Sequence, residues 1–147
     1  MERLRTEDIL AGLFGLTLAV SLVLPWYSVL GADVKATEAF GWIDIWLLLT
    51  ALLGINVAVI TGASDRPALP IAIDVLATWA GGIAILLVLF RILDAPGPDG
   101  VAREYGLWVG TAATLGLTIS AWRAMRNPAA PGLAPNPEPE RMPAPPC

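Results

Sequence analysis

The chain contains no histidine and a single cysteine, Cys147. The first absence removes imidazole ligation of haem, the usual zinc and copper sites, and histidine acid–base catalysis. The second removes an intramolecular disulfide, a CxxC redox pair and an iron–sulfur cluster. With them go the four-helix thiol oxidoreductases that pass electrons to quinones. Charge is scarce as well. Only 15% of the 147 residues are Asp, Glu, Lys or Arg, against about a quarter in soluble domains, while 56% are hydrophobic. The net charge of −4 is scattered, with no basic cluster of the nucleic-acid-binding kind. These shortages describe a membrane protein that is not an enzyme, needs no cofactor and has no nucleic-acid partner.

What the chain has in quantity is apolar length. Four runs stand out, at residues 9–30, 40–61, 69–93 and 105–122. A helix of about 20 residues spans the hydrocarbon core, so each run predicts a transmembrane helix. The fold class expected is therefore all-α: an antiparallel bundle of four transmembrane helices over residues 9–126, preceded by a short cytoplasmic N-terminus at residues 1–8. The first run is too long and too acid-flanked for a cleaved signal peptide. Residues 127–147 hold eight prolines among twenty-one residues, a composition that predicts a disordered, polyproline-like cytoplasmic tail.

Threading sets six cations on one side (Arg3, Arg5, Arg66, Arg123, Arg126, Arg141) and three on the other (Lys35, Arg91, Arg103). The positive-inside rule then puts both termini in the cytoplasm and the protein in the cell (inner) membrane. Trp26, Tyr27, Trp42, Trp46, Tyr105 and Trp108 fall at the outer face and Trp122 at the inner one, where amphipathic rings anchor helices. Small residues recur at spacing four in every run: Ala11, Gly15 and Ala19; Gly54, Ala58 and Gly62; Ala77 and Gly81; Gly106 and Gly110. They predict close backbone packing between helices.

Three polar side chains interrupt the runs: Asp44, Asp74 and Asn56. At 100° per residue, Asp44 shares a face with Ala51 and Ala58, and Asp74 with Ala77 and Gly81, so both should point into the bundle. Asn56 points well away from the small face of its helix. Asp44 lies near the start of its helix, where free N–H groups and the dipole favour a carboxylate. It reads either as a cap and anchor or as a cation, proton or partner site. Asp74, near the cytoplasmic end, reads either as half of an ion pair with Arg123 or Arg126, or as a proton-relay group. Level with Asn56, it has an optional hydrogen-bond partner there. Helical rise keeps the two carboxylates about 15–20 Å apart, which excludes a carboxylate dyad.

The segments LVLPWY, RPALPIA, LVLFRIL followed by APGPD, and YGLWVG…AWRAMR together resemble a class of small four-helix integral membrane proteins of high-GC Gram-positive bacteria. The likeness covers most of residues 9–126 and implies architecture, not activity. The function expected is that of a small tetraspan inner-membrane protein, a non-enzymatic accessory or scaffolding subunit of a membrane assembly. The alternative is a small oligomeric transporter or channel that uses the intramembrane carboxylates. The partners are the lipid bilayer and either other membrane proteins or further copies of the chain.

Overall fold

The computed structural model describes residues 4–29, 31–36, 41–63, 68–95 and 101–126. Within them the order is α1 (Thr6–Ser21), β1 (Pro25–Val29), β2 (Ala32–Lys35), α2 (Trp42–Ala63), α3 (Ala68–Leu93), β3 (Ala102–Arg103) and α4 (Tyr105–Arg126). The chain is mostly helical, as its composition requires. Residues 127–147, for which a disordered tail is expected, lie outside the described residues.

The first helix corrects the reading of an unbroken run to residue 30. It starts where the Asp8 carboxylate accepts the Arg5 backbone N–H at 3.1 Å, using an otherwise orphaned donor. It ends because the chain tightens into i→i−3 bonds, Val23 to Val20 and Leu24 to Ser21, both at 3.1 Å. Pro25 then has no N–H with which to continue. The result is a helix of 16 residues, about 24 Å long. Two helical stretches, Trp42–Ala63 and Ile71–Leu93, are long and apolar enough to cross a membrane. α1 is too short by this measure. α4 is long enough, but Thr111, Thr114, Thr118 and Ser120 lower its apolarity.

The helices pack as a ring: α1 against α2 and α4, and α3 against the same two. Chain neighbours are spatial neighbours, and α4 closes the ring onto α1. The seams are made of backbone. A Cβ on Gly15 would lie 2.7 Å from the Ala51 carbonyl oxygen and 2.9 Å from the Ile55 nitrogen, and one on Gly12 would lie 2.8 Å from the Ala58 Cβ. Thus α1 and α2 touch along the small-residue faces expected of them. Gly62 is exposed, and the atoms nearest its Cβ position are those of the Leu4 side chain, at 3.7–3.8 Å.

Where the sequence predicts helices alone, the structure adds a small antiparallel sheet of order β2-β1-β3. It closes one end of the ring. Pairing of β1 with β2 slips between Pro25 and Tyr27, the signature of a bulge. Two successive residues, Trp26 and Tyr27, therefore both turn inward instead of alternating. They join Leu22, Ile43, Leu47, Val88 and Leu107 in the cluster that seals this end. The sheet also satisfies the end of α3, whose last carbonyls have no helical partner. The Tyr27 hydroxyl donates to the Arg91 carbonyl at 2.9 Å, and Arg103 Nε donates to the Ile92 carbonyl at 2.9 Å.

Candidate functional site

At the end opposite the sheet, each helix gives one small or branched residue to a single buried layer: Ala11, Val57, Ala77 and Ala121. One further turn out, helical periodicity brings Asp8, Thr61, Asp74 and Ala124 into register. All four are buried, with Asp8 and Asp74 at 0% exposure. Arg5, itself 7% exposed, folds back over this layer. Its Nε contacts Asp8 Oδ2 at 3.2 Å, its Nη2 approaches Asp74 Oδ2 at 3.6 Å, and its Nη1 donates to the Ala124 carbonyl at 3.1 Å. One guanidinium thus ties α1 to α3 across the diagonal of the ring and to α4 beside it.

Two carboxylates share this cation. Among the described residues, Asp8 Oδ1, both oxygens of Asp74 and the Thr61 hydroxyl are enclosed without a hydrogen-bond partner. Buried charge is tolerated only when paired, and removal of one partner exposes the full desolvation cost of the rest. The cluster is therefore a lock whose strength depends on Arg5. Among the described residues, no three His, Cys, Asp or Glu side chains converge as metal ligands would.

The inward direction of Asp74 was legible in the helical wheel; the partner was not. Arg123 and Arg126 are exposed, and Arg126 lies 4.6 Å over the Trp122 ring, so the ion-pair partner of Asp74 is Arg5 rather than either of these. In the sequence Arg5 counts only toward orientation, and Asp8 is only one of the acids that argue against a signal peptide. The signal that marks them is local: Asp8 precedes Ala11 and Gly15 by three and seven residues, on the small-residue face, and Arg5 lies three before it. Asn56 does not pair with Asp74. It is exposed, and its Nδ2 donates to the Leu52 carbonyl of its own helix at 2.9 Å.

Asp44 sits half-buried in the first turn of α2, between the buried Ile43 and the sealing cluster's Leu47. About 20 Å of helical rise separates it from the Val57 layer, beyond which Asp74 lies. The three polar residues singled out from sequence are not brought together. The aromatic anchors divide. Trp42, Tyr105, Trp108 and Trp122 are exposed. Trp46 donates its indole N–H to the Ala80 carbonyl at 3.3 Å, stitching α2 to α3. Trp26 and Tyr27 are instead core residues, at 0% and 1% exposure. The Trp26 ring fills the groove left by two glycines of α4, since a Cβ on Gly110 would meet its Cζ2 at 2.6 Å. Its Nε1 donates to the Ser21 carbonyl at 2.7 Å. In β1, outside the helices, burial pushes the Tyr27 phenol above its usual value of 10.0, against the opposing fields of Arg91 and Arg103.

No protein-family model matches the chain, and comparison with curated proteins and with solved structures gave no match. Geometry alone carries the functional reading.

Proposed function

We propose that the protein is a four-span membrane bundle, with both termini cytoplasmic, that serves as a non-enzymatic accessory or scaffolding subunit of a membrane assembly. Two helices have the length and apolarity of spans in their own right. α1 and α4 complete the same ring, and they too turn large apolar side chains outward: Leu13, Leu16 and Val20 on α1, Leu115 and Ile119 on α4. The turn at Leu22–Leu24 extends the apolar reach of α1 beyond its about 24 Å.

One observation favours the structural role over transport: the interior between Asp44 and Asp74 is filled. Leu47, Ala51, Leu18, Ala113, Val57 and Ala77 lie there with at most 1% exposure. The buried hydroxyls of Thr50 and Thr114 are spent on carbonyls of their own helices, at 2.9 and 2.7 Å. A conducting path needs polar groups that face one another or a wet cavity. Asp74, for its part, is held by Arg5. The test is flux. Proteoliposomes loaded with a pH-sensitive dye should pass protons and alkali cations no faster than protein-free vesicles. A flux that Asp44→Asn or Asp74→Asn abolishes would sink the scaffold reading in favour of transport.

A further inference from the structure

The outward face of α2 carries Trp42, Ile45, Leu49, Leu52, Asn56 and Val59. The steps between them are three, four, three, four and three residues, the 3.5-residue repeat of a helix that packs along its length against another helix. Five of the six are large and apolar, 45–70% exposed. The exception is an amide near the middle of the helix. Asn56 Nδ2 uses one N–H on the Leu52 carbonyl at 2.9 Å, which leaves a second N–H and the carbonyl oxygen of an exposed side chain still to be met. In hydrocarbon these groups have no water to turn to, and an unmet amide there is costly.

We propose that this face is the dimer interface between two copies of the chain, with Asn56 hydrogen-bonded to the Asn56 of the second copy. The inference rests on the membrane reading above. The choice of occupant follows from symmetry and from the chemistry of the amide. Copies inserted in one orientation can associate about a two-fold axis only along the membrane normal, and such an axis sets every residue at the depth of its own counterpart. An amide is self-complementary, since each supplies a donor and an acceptor. Asn56 thus meets the one group that satisfies it without any other protein having to place a polar residue at that depth. A lone Asn within an apolar heptad seam fixes register and pairing in the same way in coiled coils. The outward face of α3 has a similar repeat through Leu76, Trp79, Ile83, Leu86 and Phe90 but no polar member, so it offers apolar contact that lipid supplies equally well.

The experiment uses the full chain with Cys147→Ser as background, which removes the single native thiol. Leu52→Cys, one turn from Asn56 on the α2 face, and, on the α3 face, Trp79→Cys are oxidised in native membranes and run on non-reducing gels. Carbonate extraction is performed on the same samples. The proposal expects a covalent dimer from Leu52→Cys and a monomer from Trp79→Cys. In dilution-dependent energy transfer between labelled copies in vesicles, Asn56→Ala should weaken association about three- to twentyfold, and Asn56→Gln should largely retain it. A carbonate-resistant Leu52→Cys protein that stays monomeric overturns the dimer and leaves the membrane reading standing. So does cross-linking through Trp79→Cys in place of Leu52→Cys. Release of the protein by carbonate overturns the membrane reading itself.

Discussion

Arg5→Ala should be the most damaging single change at the end of the ring opposite the sheet, and its size can be worked from the contacts. The substitution deletes one guanidinium that touches Asp8 at 3.2 Å, Asp74 at 3.6 Å and the Ala124 carbonyl at 3.1 Å. Both carboxylates remain, fully buried, with no other cation recorded within ion-pair distance of either among the described residues. An exposed pair would be worth at most about 1 kcal/mol. A buried charge stripped of its partner costs about 3–5 kcal/mol, and burial decides between the two figures here. For a chain of this size that corresponds to a melting temperature lower by roughly 10–20 °C. Circular dichroism melts in detergent micelles at neutral pH would read it. A companion variant separates charge from packing. Arg5→Met with Asp8→Leu and Asp74→Leu removes all three charges together and should melt near or above wild type, because an apolar replacement of a buried ion cluster is often neutral or stabilising. If Arg5→Ala melts within 2–3 °C of wild type, by the same rough scale, the cluster is not a lock.

Other substitutions test the seams and the cap. Gly15→Ala should cost about 1–3 kcal/mol, since the new methyl would lie 2.7 Å from the Ala51 carbonyl and force two backbones apart. Gly82→Ala, with nothing within 4 Å of its Cβ position, should instead stabilise by about 0.5–1 kcal/mol through helix propensity, and the two melts can be compared directly. Trp26→Ala should cost about 3–5 kcal/mol by emptying the Gly106–Gly110 groove, whereas Trp79→Ala, at 72% exposure, should change the melt little. The Tyr27 phenol, neutral in the fold and raised above 10.0, should favour folding at all lower pH and withdraw that support as pH climbs through its folded value. Alkaline unfolding of Tyr27→Phe should accordingly begin at higher pH than that of wild type.

Much of the architecture was legible because apolar length is a local property. The second and third helices, expected over 40–61 and 69–93, run over Trp42–Ala63 and Ala68–Leu93. The first helix stops short of its apolar run, an end the sequence hides because a buried strand and a membrane helix share a composition. Ser28 and Val29 extended the apolar run although Pro25 and the left-handed Gly31, φ 82°, already bracket a hairpin arm. The sequence offers Trp26 and Tyr27 as anchors, since nothing local reveals that Gly106 and Gly110, some eighty residues on, leave a groove of indole width. Asp74 could be oriented by helical geometry alone, and so could the outward Asn56. Arg5 could not be joined to Asp74, because that pairing exists only once α4 has closed the ring onto α1.

Whether all four helices cross the membrane is decided by the side on which the β-sheet lies. Asp33 is exposed on β2, before α2, and the single native thiol is Cys147, after α4. If only α2 and α3 cross, Asp33 and Cys147 lie on the same side. If α1 and α4 cross as well, they lie on opposite sides. Labelling with a membrane-impermeant maleimide in right-side-out and inverted vesicles compares wild type with an Asp33→Cys, Cys147→Ser chain. With four spans and cytoplasmic termini, Cys147 should react only in inverted vesicles and the thiol introduced at position 33 only in right-side-out ones. Reaction of both in the same preparation would contradict the four-span reading.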